Sequence, residues 1–242
     1  MLRISWRIFL FFLLTGLTVA AVYVAVFLPG KNKRRRAMRV RRWWARGLLY
    51  AVGTRVRCVG QPPTAPCILV GNHRSWIDPI LVLRDADAFP VAKAEFASWP
   101  IISSGAKASG IILVQRDNRK SRAEALRAVE RVVRAGYQAL IYPEGTTSDV
   151  PTTLPFQPGV FQLAARNGFA VAPVALIFEK SEDYWLDFTP FLVHAARMFR
   201  RRRVHFELHY GPLMQHEDPQ VLREMAEKWV GEVIAMRGKS VC

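Results

Sequence analysis

Cys67-Ile68-Leu69-Val70-Gly71-Asn72-His73-Arg74-Ser75-Trp76-Ile77-Asp78-Pro79 decides how this chain folds. Cys67 to Val70 is a short apolar run of the kind that is buried in a sheet. Gly71 to Trp76 is a polar loop, and Asp78-Pro79 reads as the cap and first residue of a helix. A buried strand running through a loop into a helix is the repeating unit of an α/β domain. Working outward, further apolar runs suited to strands are Ala88 to Val91, Gly110 to Val114, Gln138 to Tyr142, Ala170 to Leu176 and Val204 to Tyr210. Helical patterns alternate with them. Arg119 to Ala135 sets Leu126, Val129 and Val133 on one face and arginines on the other, and Gly136 ends it. Pro158 to Arg166 is closed by Asn167-Gly168, and Asp218 to Met236 starts at Asp218-Pro219. No internal repeat interrupts the pattern, only a proline-rich joint at Gln61 to Pro66.

Towards the N-terminus, Ile8 to Leu28 (IFLFFLLTGLTVAAVYVAVFL) carries no charge. At about 1.5 Å per residue it spans roughly 31 Å, a bilayer core, and it is longer than the apolar region of a signal peptide and lacks a small-residue cleavage site. We therefore expect a retained single-pass anchor. The run KNKRRRAMRVRRWWAR after it is far more basic than the side bearing Arg3 and Arg7, which places the following domain in the cytoplasm. That run also suits anionic lipid headgroups, with Trp43 and Trp44 at their boundary. Val40 to Val52 reads as an amphipathic helix, fitted either to the interface or to ordinary core packing. The expected organisation is an anchor over residues 1–30, a basic interfacial segment over 31–60 and a catalytic domain over 61–242.

Thirty-five Lys and Arg against 19 Asp and Glu give a net charge of +16, so the surface seeks anionic partners. No nucleic-acid-binding signature accompanies the charge, and the basic run adjoins a membrane segment, so nucleic acid is not an expected partner. Cys58, Cys67 and Cys242 form no C-x-x-C pair, which suggests neither a disulfide framework nor a zinc cluster and fits a reducing compartment. Cys242 stands last, where a prenylation box would need it fourth from the end.

The loop of the opening stretch carries the chemistry. His73 and Asp78 are five apart and would sit about 140° apart on a helix, but a loop entering a helix brings them together. The carboxylate then holds the imidazole in one tautomer while the other nitrogen takes a proton from a hydroxyl. The plain alternative is that Asp78 caps the helix and His73 is structural. The second dense stretch, Tyr142-Pro143-Glu144-Gly145-Thr146-Thr147-Ser148, leaves another strand. Gly145 opens the backbone there, so amides and hydroxyls would face an oxyanion or an anionic headgroup, unless the stretch is merely a turn. Ser75 is an imaginable nucleophile but more simply bonds the loop backbone.

Taken together these stretches resemble the lysophosphatidic acid acyltransferases and their wider glycerolipid acyltransferase superfamily. Asn72-His73-Arg74-Ser75-Trp76-Ile77-Asp78 is similar to the family's N-H-x-S-x-x-D block, and Pro143-Glu144-Gly145-Thr146 to its P-E-G-T block. Gly110 to Arg116 resembles the glycine-apolar-arginine block, Val171-Ala172-Pro173-Val174 the apolar-proline block, and Lys93 in Val91 to Phe96 fits the family's usual run. The resemblance implies an α/β, mixed-sheet acyltransferase domain behind an N-terminal transmembrane helix and a basic interfacial helix. It implies a catalytic dyad of His73 and Asp78 and acceptor binding by Lys93, Arg116, Glu144, Gly145, Thr146 and Thr147, with Glu144 orienting Arg116 or a headgroup hydroxyl. No metal or cofactor is needed, since the co-substrate is a thioester of coenzyme A or of acyl carrier protein, the latter a possible protein partner.

The implied reaction is 1-acyl-sn-glycerol-3-phosphate O-acylation, which makes phosphatidic acid for phospholipid biosynthesis. One departure concerns the acceptor: family members acting on lysophosphatidic acid commonly carry arginine directly after P-E-G-T, and here the residue is Thr147. Without that bidentate phosphate partner another acceptor competes, and P-E-G-T-T also resembles the relatives that acylate lyso-ornithine lipid. Arg116, Arg119, Lys107 or Lys93 would have to supply the cation. A non-catalytic protein that binds anionic lipid, or an esterase, is the alternative of a different class. His205 and His209 share a strand face without a zinc-protease pattern, and Arg200 to Arg203 reads as a solvated or lipid-facing basic knot.

Overall fold

The apolar runs form one twisted sheet because they have nowhere else to bury both faces. In a computed structural model, which describes residues 2–30, 33–95, 110–186 and 189–238, seven strands appear. They are β1 (Thr54–Val59), β2 (Ile68–Gly71), β3 (Ala88–Lys93), β4 (Ile112–Val114), β5 (Gln138–Ile141), β6 (Val171–Phe178) and β7 (Val204–Tyr210). Their order is β1-β7-β6-β2-β5-β3-β4. β2 pairs in parallel with β5 and β6, β3 with β5 and β4, and β1 with β7, while β6 and β7 run antiparallel, so the sheet is mixed. The central strand β2 is buried at every position. β7 alternates instead, with Val204, Phe206, Leu208 and Tyr210 turned into the core.

Seven α-helices accompany it among the described residues: α1 (Leu2–Phe27), α2 (Lys33–Val52), α3 (Asp78–Leu83), α4 (Arg119–Arg134), α5 (Gly159–Asn167), α6 (Phe191–Arg200) and α7 (Pro219–Gly238). Leu48, Leu49 and Val52 of α2, Ile80 to Leu83 of α3 and Ala195, Met198 and Phe199 of α6 pack on one face of the sheet. Val129, Val132 and Val133 of α4, Val160, Phe161 and Ala164 of α5 and Leu222, Ala226 and Val230 of α7 fill the other. Each fully buried Leu, Val or Phe in these layers contributes about 1.5–3 kcal/mol. The helix ends read from the sequence at Gly168 and Asp218 are in place, and Asn118 adds a cap that the sequence reading lacks. Asn118 accepts from the Ser121 amide at the start of α4, the left-handed Gly168 closes α5, and Asp218 accepts from the Gln220 amide before α7.

Three features differ from the sequence reading. β1 lies in what was read as the interfacial segment, so the sheet begins before residue 61. As an edge strand it alternates Arg55 and Arg57 with half-buried Val56, which in sequence looks like a continuation of the basic run. α2 starts at Lys33 and docks Leu48 and Leu49 into the core, the packing alternative, while Trp43 stays 72% exposed. α6 was not expected at all.

α1 is the one helix among the described residues long and apolar enough to cross a membrane, and most of its side chains face outward. It is tied at both ends. Arg7 donates to the carbonyls of Phe199, Arg201 and Arg202 at the end of α6, and Arg36 of α2 donates to Ala25 and Leu28 at the far end. Trp44 of α2 donates to Thr15 midway.

Candidate active site

In a parallel sheet all carboxyl ends lie on one edge, and loops leaving that edge build sites. Here β2, β5, β3 and β4 stand side by side in that order. β2 leads into His73, β5 into Glu144, β3 ends at Lys93 and β4 leads into Arg116. With about 4.8 Å between neighbouring strands, the row from β2 to β4 is roughly 14 Å long. The side chains expected to act therefore share one edge, with His73 and Arg116 at its two ends. On the other side of β2, Gly71 lets β6 come close, since a Cβ there would meet the Val174 carbonyl oxygen at 2.7 Å. Asn72, fully buried, then locks β2 to β6 by exchanging hydrogen bonds with both backbone groups of Leu176.

His73 Nδ1 lies 2.7 Å from Asp78 Oδ2. The same oxygen accepts from the backbone amides of Arg74 at 2.6 Å and Ser75 at 2.8 Å. Asp78 is thus the first residue of α3 rather than its side-chain cap, because its carboxylate turns back into the loop. It is 0% exposed, whereas the His73 side chain keeps 12% of its surface open. Asp78 Oδ2 takes the Nδ1 side of the ring, which orients the tautomer with its proton on Nδ1 and leaves Nε2 to accept one. The hydroxyl of Ser75 is buried and bonds nothing; its amide, not its side chain, joins the loop, so the expected side-chain bond to the backbone is not made.

The second loop locks onto the first. Glu144 accepts from the His73 amide at 3.2 Å, the Leu154 amide at 3.3 Å and the Ser148 hydroxyl at 3.4 Å. The Ser148 amide donates to the His73 carbonyl. Arg74, only 2% exposed, donates to the Ser148 carbonyl and hydroxyl and to the Thr152 carbonyl, with its guanidinium over the Tyr184 ring. Glu144 is a clamp between the loops. Burial pushes its carboxyl up to about 7, against the pull of Arg74 and the two amides, with Asp78 adding to the rise. Gly145 adopts a positive φ of 76° and has open space where a Cβ would stand, as the exposed backbone required. Its own amide closes the turn on the Tyr142 carbonyl, however, so an oxyanion donor must come from elsewhere in the loop. Thr147 is 9% exposed with its hydroxyl buried and unbonded, and Thr146 donates to the Thr147 carbonyl.

At the far end of the row, Arg116 and Arg119 line an open cavity of about 700 Å³ with Glu95, Gln115 and Asp117. Lys93 is half-exposed and pairs with Glu95. Lys107, Phe96 and Cys242 lie outside the described residues. His205 and His209 face away from the core and pair with Glu179 and Glu207 respectively.

Several residues around the dyad escaped the sequence reading. Tyr142 lays its ring flat on the His73 imidazole, with centroids 4.3 Å apart and planes 9° apart. Trp76, inside the dyad loop, donates its indole N–H to the buried Nδ1 of His194 on α6, and Phe11 of α1 meets the same indole edge-on. The Trp185 amide donates to the Arg74 carbonyl. The aromatic at position 142 was visible in sequence, but its partner depends on β5 lying beside β2.

Residues 55–177 match the family model described as Acyltransferase. A lyso-ornithine lipid O-acyltransferase of Pseudomonas aeruginosa is 32% identical over 201 residues, covering 80% of this chain and 78% of that protein. A 1-acyl-sn-glycerol-3-phosphate acyltransferase of Neisseria meningitidis serogroup B is 31% identical over 134 residues, covering 54% of this chain and 52% of that protein. The crystal structure of the 1-acyl-sn-glycerophosphate (LPA) acyltransferase, PlsC, from Thermotoga maritima superposes with a TM-score of 0.79 at 18% identity, over 98% of this chain and 95% of that one. The matched span runs from the edge strand through both loops into β6, and on that ground the chain belongs to the acyltransferase family, as an enzyme of the glycerolipid acyltransferase superfamily.

Proposed function

We propose that the protein acylates a lyso-ornithine lipid or a closely similar non-phosphate lysolipid, with His73 as general base and Asp78 as its orienting carboxylate. The hydrogen-bonded dyad, with one imidazole nitrogen on a buried carboxylate and the ring edge open, carries this reading. His73 Nε2 takes the proton of the acceptor hydroxyl as its oxygen bonds to the thioester carbonyl carbon. The tetrahedral adduct then collapses by breaking the C–S bond, and the imidazolium returns its proton to the departing thiolate. Nothing in the balance requires a metal or a redox partner. Phe11 and Phe191 pack against Trp76 and back the dyad loop with apolar side chains.

The sequence alone put lysophosphatidic acid first among acceptors. Two observations favour the other choice. The relative matched over four-fifths of this chain is a lyso-ornithine lipid O-acyltransferase, and the position directly after Pro143-Glu144-Gly145-Thr146 holds a buried threonine instead of a guanidinium. A phosphomonoester dianion has no bidentate partner there. Lysophosphatidic acid stands as the second reading, favoured by Arg116 and Arg119 on the open cavity. Full-length protein offered both acceptors in competition, with acyl-CoA and with acyl carrier protein thioester in separate arms, tests the order. Several-fold preference for lyso-ornithine lipid supports the proposal; equal or greater use of lysophosphatidic acid rejects it.

We also propose that the catalytic domain faces the cytoplasm and rests on anionic headgroups, each of the lysines and arginines of α2 near the surface adding about 1 kcal/mol. A reporter active only in the cytoplasm, fused after the last residue, should be active. A silent reporter on a well-expressed fusion places the domain on the other side.

A further inference from the structure

The stack of Tyr142 on His73 takes no part in the proton transfers above, yet it is the closest ring contact in the site. We infer that Tyr142 is a positioning residue for His73, holding the imidazole plane so that Nδ1 stays on Asp78 while Nε2 faces the acceptor hydroxyl. This rests on His73 being the base. The hydrogen bond from Nδ1 to a single carboxylate oxygen fixes one point of the ring but leaves it free to swing about that line. A flat ring 4.3 Å away and within 9° of parallel removes that freedom.

The contact is set by the backbone. Tyr142 follows the last residue of β5 and His73 stands two residues past the end of β2, on adjacent parallel strands. Continuing the register sets Tyr142 beside Gly71, and the missing side chain there leaves room for the tyrosine ring, whose Cε1 lies 3.6 Å from where a Gly71 Cβ would stand. The turn bond from the Gly145 amide to the Tyr142 carbonyl, at 3.1 Å, keeps the tyrosine backbone from drifting. The ring and not the hydroxyl does this. The phenol oxygen is buried without a hydrogen-bond partner. Burial and the Asp78 charge hold the phenol well above its usual range, so it stays neutral and takes no proton.

Three substitutions in the full-length protein test the inference, read as kcat and KM for both substrates and as the pH profile of kcat. Tyr142→Leu should lower kcat by about 10–100-fold, the scale of a misplaced catalytic group, with both KM values unchanged and the acid limb of the profile displaced. Tyr142→Phe should recover what the leucine loses. Should the leucine variant fold poorly, Tyr142→Met, similar in bulk but without a flat face, should reproduce its kcat and profile. A folded leucine or methionine variant with wild-type kcat per folded molecule and an unmoved profile overturns the inference, as does a phenylalanine variant no better than leucine. His73→Ala serves as the separate control: its retention of activity removes the base itself, whereas its inactivity beside a fully active Tyr142→Leu removes only the role of Tyr142.

Discussion

Asp78 accepts from the His73 ring and from the Arg74 and Ser75 amides through one oxygen, so a single carboxylate orients the base and closes the loop that carries it. Asp78→Asn should therefore lose about 10²–10⁴ in kcat, by disfavouring the imidazolium, while leaving the loop largely bonded. Asp78→Ala should in addition lose about 1–3 kcal/mol of stability for the donors it strands. Kinetics and thermal unfolding on the same preparations separate the two effects. Glu144 makes a different prediction. Its carboxyl, pushed up to about 7 in the folded chain from an ordinary 4.5, keeps a proton that the unfolded chain has already released between those values. Stability from this group is thus full below about 4.5, falls as pH rises towards 7 and levels off above it. Glu144→Gln should flatten that decline when the unfolding midpoint is followed against pH; an unaltered slope assigns it to other groups. Thr147→Arg should raise the use of phosphomonoester acceptors relative to others, at about 1–3 kcal/mol of stability for forcing bulk into a site 9% exposed. An unchanged acceptor ratio removes position 147 from the specificity argument.

Among the elements, strands that are apolar throughout, such as β2 and β6, were legible because central parallel strands are buried on both faces. β1 was not, since an edge strand needs only half its positions buried and uses charges to stay unpaired. α6 escaped because Phe191 to Arg200 is short and runs into the basic knot, and its apolar face has meaning only against Trp76 and α1. That seam has consequences. Phe11 of α1, Trp76 of the dyad loop and Phe199 of α6 meet in one aromatic cluster, and Trp76 also spends its indole N–H on His194. Phe11→Ala should lower stability by about 1–3 kcal/mol, less than a fully buried phenylalanine loses. Because the outward apolar side chains of α1 remain, vesicle sedimentation should be unaffected. Loss of vesicle binding with stability intact would mean that Phe11 contacts lipid rather than the domain.

For the whole molecule, the arrangement that matters is the order β2-β5-β3-β4, which sets His73, Glu144, Lys93 and Arg116 along one sheet edge although they are widely separated in the chain. The dyad itself was readable because both members lie in one loop. The clamp of Glu144 and Arg74 and the Tyr142 stack were not, since each joins segments brought together only by that non-consecutive strand order, and neither was the Trp76–His194 bond, which needs α6 packed against the dyad loop. What a sequence states locally is the chemistry, and what the sheet adds is the geometry that makes one nitrogen of His73 available. The most direct test follows thiol release from a labelled acyl thioester by the full-length protein in lipid, with and without a lysolipid acceptor, beside His73→Ala. The account predicts release that needs the lysolipid, delivers the label into a diacyl product and disappears in the variant. Release without acceptor, or transfer by His73→Ala at the wild-type rate, contradicts it.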